Sequence, residues 1–436
     1  MIKKIKITIL LLIFTIIIFI SNYSLAVNFA TTVGTENYAA FGTEAITTTN
    51  LTYTAAQYYE DMGYYGTKKL VDPSYLLLVS NLVGKVQLFC THGSVDSISY
   101  KSYTGITTLE THMEGSYEMI GVPDVARSMW KNNTALVTYI ACNTAGENGE
   151  YSYDSLACKT VSDGGVRLSL GFTTEVPYGV SEKWSERYHS KLKQGAGVWD
   201  SMDYANSDPY FAIWAVMDKR DIRKCCLFKD EFTDENLVIN KYINSELNSI
   251  SDTYSIDLRK DENILKSKIA IKENADDAIA EYLSKYDSNF NIKDYEIGRS
   301  SCCTVSIDKN KEEKQIDYIY LGFKLGDFYT NKGYVAKVEN GNVIAIYDNM
   351  KDSIKNNDIL LDREKFYVSN NSINLMKMKE NILSQSKLEN VSIEEDVKYY
   401  YDIENDKKYV IIPVRSEVDD GNGGKDLLVD TVTYEI

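Results

Sequence analysis

Seven cysteines (Cys90, Cys142, Cys158, Cys225, Cys226, Cys302, Cys303) and three histidines (His92, His112, His189) are the side chains of this 436-residue chain best suited to nucleophilic or acid–base work. All three histidines, and all four tryptophans, precede residue 230, so chemistry that needs an imidazole belongs to the first half. The cysteine spacing matches no zinc motif, and neither a metal nor a cofactor is expected. Two residues stand out by position. Val86–Cys90 is a short apolar run ending in Thr91-His92-Gly93, and Leu136–Ala141 is a second one ending in Cys142-Asn143-Thr144-Ala145-Gly146. In wound α/β sheets ligands bind outside the carboxyl ends of the strands, where the loops diverge. Consecutive strands of such units are usually neighbours. The His92 imidazole and the Cys142 thiol are then expected in one crevice, as a cysteine nucleophile and its general base require.

The elements that must position these two side chains follow from periodicity. From Tyr38 to about Lys229 helical and extended segments alternate, the pattern of an α/β layer fold. Ala55, Ala56, Tyr58, Tyr59 and Met62 suit a helix, Pro73 opens another, and Pro123 to Trp130 a third. Beyond Cys142 come a helix, Asp163-Gly164-Gly165, a strand from Val166 to Phe172, and a helix carrying Trp184, Tyr188 and Leu192 before Gly195.

A strand ending in His-Gly, followed some fifty residues later by one ending in Ala-Cys, resembles the caspase-like clan of cysteine peptidases. That clan includes caspases, gingipains, clostripain, separase and the bacterial CHAT domains. Cys142-Asn143-Thr144-Ala145 is similar to the Cys-x-Thr-Ala of CHAT-type sequences, and the resemblance runs over about residues 38–217. It implies a doubly wound sheet, Cys142 as nucleophile, His92 as base, and the backbone N–H groups of Gly93 and Cys142 as oxyanion hole. The third group of such sites is not marked by any motif, and Asp96 is a nearby candidate.

Plainer roles compete for each residue. A lone cysteine at a strand end is commonly a core residue, and a lone histidine commonly a structural hydrogen-bonder. His112 and His189 are expected at surface or structural positions, Cys158 in packing or a disulfide, Cys90 buried, and Asp200 and Asp203 solvated. Adjacent cysteines rarely bond each other, so disulfides should join distant positions.

At the N-terminus Lys3, Lys4 and Lys6 precede an apolar run from Ile7 to Ile20 and then Ser24-Leu25-Ala26, which reads as a signal peptide over 1–26 and a secreted, extracellular product. The run is shorter than the roughly 20 apolar residues of a spanning helix, so membrane contact is expected only through this segment. The net charge is −16, and only 22 of the 63 acidic but 20 of the 47 basic residues lie before residue 230. A basic nucleic-acid-binding surface is thereby excluded, and a boundary near 230 is expected. The sequence divides into an α/β domain over 27–229, an Asn-, Asp- and Lys-rich linker over 230–272, and two α+β units over 273–360 and 361–436. Each unit reads as a helix followed by antiparallel strands. Both resemble the small PepSY and cystatin-like modules of exported bacterial proteins. The expectation is an exported cysteine endopeptidase acting on a protein or peptide substrate, with a C-terminal accessory region; one alternative is intramolecular inhibition by that region, relieved by a cut in the 230–272 linker. The rival is a catalytically silent caspase-like module in a secreted binding protein.

Overall fold

The computed structural model describes residues 29–34, 48–74, 77–78, 81–82, 84–91, 93–102, 117–121, 134–176, 178–207, 221–229, 237–241, 254–257, 275–287, 290–348, 363–368, 374–385, 391–393, 397–419 and 425–436. The signal-peptide reading, His92, His112 and the Pro123 helix fall outside the described residues.

In chain order the first half contains β1 (Ala30–Gly34), α1 (Thr48–Asp61), β2 (Lys68–Val71), β3 (Val86–Cys90), β4 (Ser97–Ser102), β5 (Tyr117–Gly121), β6 (Leu136–Ile140), β7 (Gly146–Glu147) and β8 (Glu150–Tyr151). It continues with α2 (Leu156–Ser162), β9 (Leu168–Phe172), α3 (Tyr178–Lys193), α4 (Val198–Asn206) and β10 (Asp221–Phe228). The strands lie in the order β2-β1-β3-β6-β9-β10. All pairs are parallel except β9–β10, which is antiparallel. β1, β3, β6 and β9 are buried along their whole length, which is why they read as unbroken apolar runs and not as alternation. Side chains still alternate between faces. Leu88, Cys90, Leu136, Ile140, Leu170 and Phe172 pack under α1, α3 and α4, through Tyr59, Trp184, Tyr188 and Met202. Phe89, Val137 and Tyr139 pack on the other face, against Leu156, Ala157 and Val161 of α2.

The second half contains β11 (Tyr254–Asp257), α5 (Ala275–Tyr286), β12 (Tyr295–Ser306), β13 (Lys311–Leu325), β14 (Phe328–Glu339) and β15 (Asn342–Asp348). After these come α6 (Leu375–Gln385), β16 (Val391–Ile393), β17 (Lys398–Asp402), β18 (Lys407–Asp419) and β19 (Lys425–Glu435). β12, β13, β14 and β15 form an antiparallel meander. Its last hairpin turns at Asn340-Gly341, both with positive φ (50° and 72°), the geometry that makes Asn-Gly the preferred two-residue turn. Ile279 and Leu283 of α5 pack on this meander, and Ile382 of α6 on β18 and β19.

The two halves share one sheet. β12 pairs in parallel with β10 over eight residues, and a disulfide joins Cys225 of β10 to Cys303 of β12, 78 positions apart. Disulfide bonding between distant cysteines agrees with the sequence expectation. Parts of the 230–272 stretch are built into the fold. Val238 forms a bridge with Gly197, Ile239 is buried with its carbonyl accepting from Tyr64 Oη at 2.8 Å, and β11 pairs with β15. Among the described residues no helix is long and apolar enough to cross a membrane.

Candidate functional site

β3 and β6 are adjacent and in parallel register, with Cys90 opposite Ile140. Their carboxyl ends therefore leave the sheet side by side. Thr91 N–H still reaches Ile140 O at 3.2 Å. Gly93 then lies against the turn that follows β6. A Cβ at that position would sit 2.7 Å from Cys142 O, 2.8 Å from Ala141 Cβ and 2.9 Å from Thr144 Cγ2. Only glycine permits so close an approach of the two turns. His92, between Thr91 and Gly93 in the chain, is outside the described residues; its two sequence neighbours are both in contact with the Ile140–Thr144 segment.

The turn after β6 is tightly determined. Asn143 adopts φ 57°, the left-handed conformation that Asn tolerates better than most residues. Its N–H donates to Thr174 O at 3.2 Å, and Ala145 N–H donates to Phe172 O at 2.8 Å. The buried Thr144 hydroxyl donates to Ala141 O at 3.1 Å, and Thr144 O accepts from Ala157 N at 2.8 Å. Ser155 caps α2, accepting from Cys158 N–H at 3.3 Å. Leu156 N–H donates to Val95 O at 2.6 Å, so the loop after β3 and the helix after Cys142 are joined directly.

Cys142 is set apart from the other thiols. Five cysteines lie outside the disulfide; Cys90, Cys158, Cys226 and Cys302 are buried, whereas Cys142 is half-buried. Its Sγ accepts from Val176 N–H at 3.3 Å and, as the thiol, donates to Val176 O at 3.8 Å. Burial pushes three of the buried thiols up. Burial, with the Glu182 carboxylate adding to it, raises the Cys90 thiol far above its usual range. Burial raises Cys158 to about 11 and Cys302 to about 12. Such thiols are inert at neutral pH, in keeping with packing roles for Cys90 and Cys158.

His189 is no rival base. It is buried, its Nδ1 lies 2.8 Å from Ser185 O and its Nε2 3.0 Å from Tyr59 Oη, and burial lowers it to about 4. Asp96 is exposed and accepts from Ser94 Oγ at 3.0 Å. Asp200 is exposed as expected, but Asp203 is not a solvated residue. It accepts from Tyr318 Oη and Lys337 Nζ, on β13 and β14, and ties α4 to the C-terminal meander. The aspartate has cationic and hydroxyl partners there because β12 continues the first sheet, which spacing alone does not reveal. Sequence reading also missed Thr174, whose carbonyl holds the Asn143 N–H, and Val176, whose N–H reaches the thiol; they follow β9 in the chain and meet the Cys142 turn only through the fold, so no local pattern marks them.

No protein-family model matches the chain, and no curated protein is significantly similar to it. Among solved structures it aligns with the Arg-specific cysteine proteinase gingipain R at 10% identity and TM-score 0.32, over 76% of this chain and 63% of that one. It also aligns with the complex of pro- and mature domains of the Porphyromonas gingivalis protein RgpB, at 10% identity and TM-score 0.30, over 75% and 64%. The chain thus spans less than two thirds of either structure's length.

Proposed function

We propose that the protein is an exported cysteine endopeptidase with a caspase-like α/β domain, in which Cys142 is the nucleophile and His92 the base. The observation that carries this reading is the contact of the two strand-end turns, with Gly93 against Cys142 O and the half-buried Cys142 thiol beside it. In the reaction the Cys142 thiolate attacks the peptide carbonyl, and the His92 imidazolium gives its proton to the leaving amine. The Gly93 and Cys142 N–H groups are the proposed donors to the oxyanion. Water then attacks the acyl-enzyme, with His92 as base, and frees Cys142. The substrate is a protein or peptide, and no cofactor takes part.

The test is cleavage of a mixed peptide library by the mature protein and by Cys142→Ala. Cleavage by the wild type alone supports the peptidase. Equal activity in both, or none in either form and none after proteolytic nicking of residues 242–253, moves the reading to a silent binding module.

A further inference from the structure

The thiol is not held by its own strand alone. Residues 174–176 run along it, with Thr174 O accepting from Asn143 N–H and Val176 N–H donating to Cys142 Sγ. This segment is held in turn from β10. Arg223 O accepts from Thr173 N–H at 3.0 Å, and Thr174 Oγ1 accepts from Arg223 N–H at 3.1 Å. The Arg223 side chain also lies against the β7–β8 hairpin, its Nη1 3.5 Å from Gly149 O. Two residues further along β10, Cys225 is bonded to Cys303 of β12. A continuous set of contacts therefore runs from the C-terminal sheet through β10 and Thr174 to Cys142.

We propose that Thr174 is a positioning residue for the Cys142 thiol and that the Cys225–Cys303 disulfide, by pinning β10, sets where Thr174 stands. The inference rests on Cys142 being the nucleophile. Thr174 acts through two oxygens at once, its carbonyl on the nucleophile turn and its hydroxyl on β10. Valine at this position keeps the shape and removes the hydroxyl, leaving the Arg223 N–H without that acceptor; serine keeps it. On this account the C-terminal sheet is a structural part of the catalytic unit and stays bound after any cut between β10 and β12.

The test is the rate at which iodoacetamide alkylates Cys142, followed by peptide mapping across a pH series, in the full mature chain and in Thr174→Val, Thr174→Ser and the double variant Cys225→Ser/Cys303→Ser. Loss of one aligned hydrogen bond is expected to slow labelling in Thr174→Val by on the order of fivefold to tenfold. It should also move the labelling midpoint to higher pH, since the thiolate loses the well-placed Val176 N–H. Thr174→Ser should match the wild type, and the double variant should shift in the same direction as Thr174→Val. An unshifted midpoint and unchanged rate in folded Thr174→Val would overturn the proposal. If that variant does not fold, the wild type is compared before and after treatment with a small dithiol. The dithiol delivers two electrons and two protons to the Cys225 and Cys303 sulfurs, leaves as its own disulfide, and is removed without air before labelling. A midpoint moved upward supports the proposal, and an unmoved one overturns it. Peptide cleavage by Cys142→Ala would defeat the nucleophile reading instead, a result separate from either labelling outcome.

Discussion

The strands on the two sides of β10 solve different problems. β3 and β6 are five residues each, buried and parallel to the strand that follows each in the sheet, so each must leave the sheet by a crossover and its carboxyl end opens into a loop. β12, β13 and β14 are 12, 15 and 12 residues long and antiparallel, and each passes straight to the next through a short turn. The first arrangement creates diverging loops in which a thiol can be half-exposed; the second creates a broad wall. The cysteines show the consequence. Cys142, at the end of a short parallel strand, receives a backbone N–H on its sulfur, whereas Cys303, inside a long strand, is buried in a disulfide. The same residue type is a candidate nucleophile in the turn just past β6 and a staple inside β12.

Breaking the crevice side should have the largest effect. Cys142→Ala is expected to abolish peptide cleavage, and His92→Ala to lower kcat/KM by roughly 10²–10⁴, the range of positioned acid–base catalysis, with the melting temperature of each near that of the wild type. On the wall side, Asp203→Asn leaves Lys337 without its carboxylate; loss of one partner of such a half-buried pair should cost about 3 kcal/mol in urea unfolding.

Acid should strike the α3 layer. His189 is held neutral, at about 4 in the folded chain against about 6.5 when unfolded. Below pH 6.5 the unfolded state therefore takes up a proton that the native state refuses, and stability falls until pH 4, by about 3 kcal/mol in all. His189→Gln should flatten this part of the stability–pH curve measured by denaturant titration. Gly93→Ala, which drives a methyl into Cys142 O and Ala141, should lose about 1–3 kcal/mol by overpacking and activity with it. Cys158→Ala, on the face of the sheet opposite Cys142, should change kcat/KM by no more than about threefold, as a packing residue away from the reacting atoms would.

These contrasts also explain what was readable beforehand. Val86–Cys90 and Leu136–Ile140 were legible because strands buried on both faces must be apolar throughout, and the residues that end them then announce the site. Asn340-Gly341 marked its hairpin for a similar local reason. β10 and β12 were not legible. Asp-Ile-Arg-Lys-Cys-Cys and Gly-Arg-Ser-Ser-Cys-Cys carry neither an apolar run nor a clean alternation. A lysine in the middle of a strand reads as solvent-facing, yet Lys224 is buried and donates to Ser300 Oγ at 2.7 Å. That partner lies 76 residues away, and it is tertiary pairing, not local pattern, that makes both segments strands. The Cys225–Cys303 bond, the Asp203 contacts and the role of Thr174 were hidden for the same reason, since all depend on the seam between β10 and β12.

The central claim is that Cys142 is the reactive thiol of the crevice and that His92 activates it. The most direct measurement is labelling of the mature protein with a peptidyl acyl electrophile, followed by mass mapping of the modified cysteine in wild type and His92→Ala. The account expects one modification, at Cys142, lost or slowed by on the order of a hundredfold in His92→Ala. Modification at another cysteine, or equal labelling of Cys142 in both proteins, would contradict it.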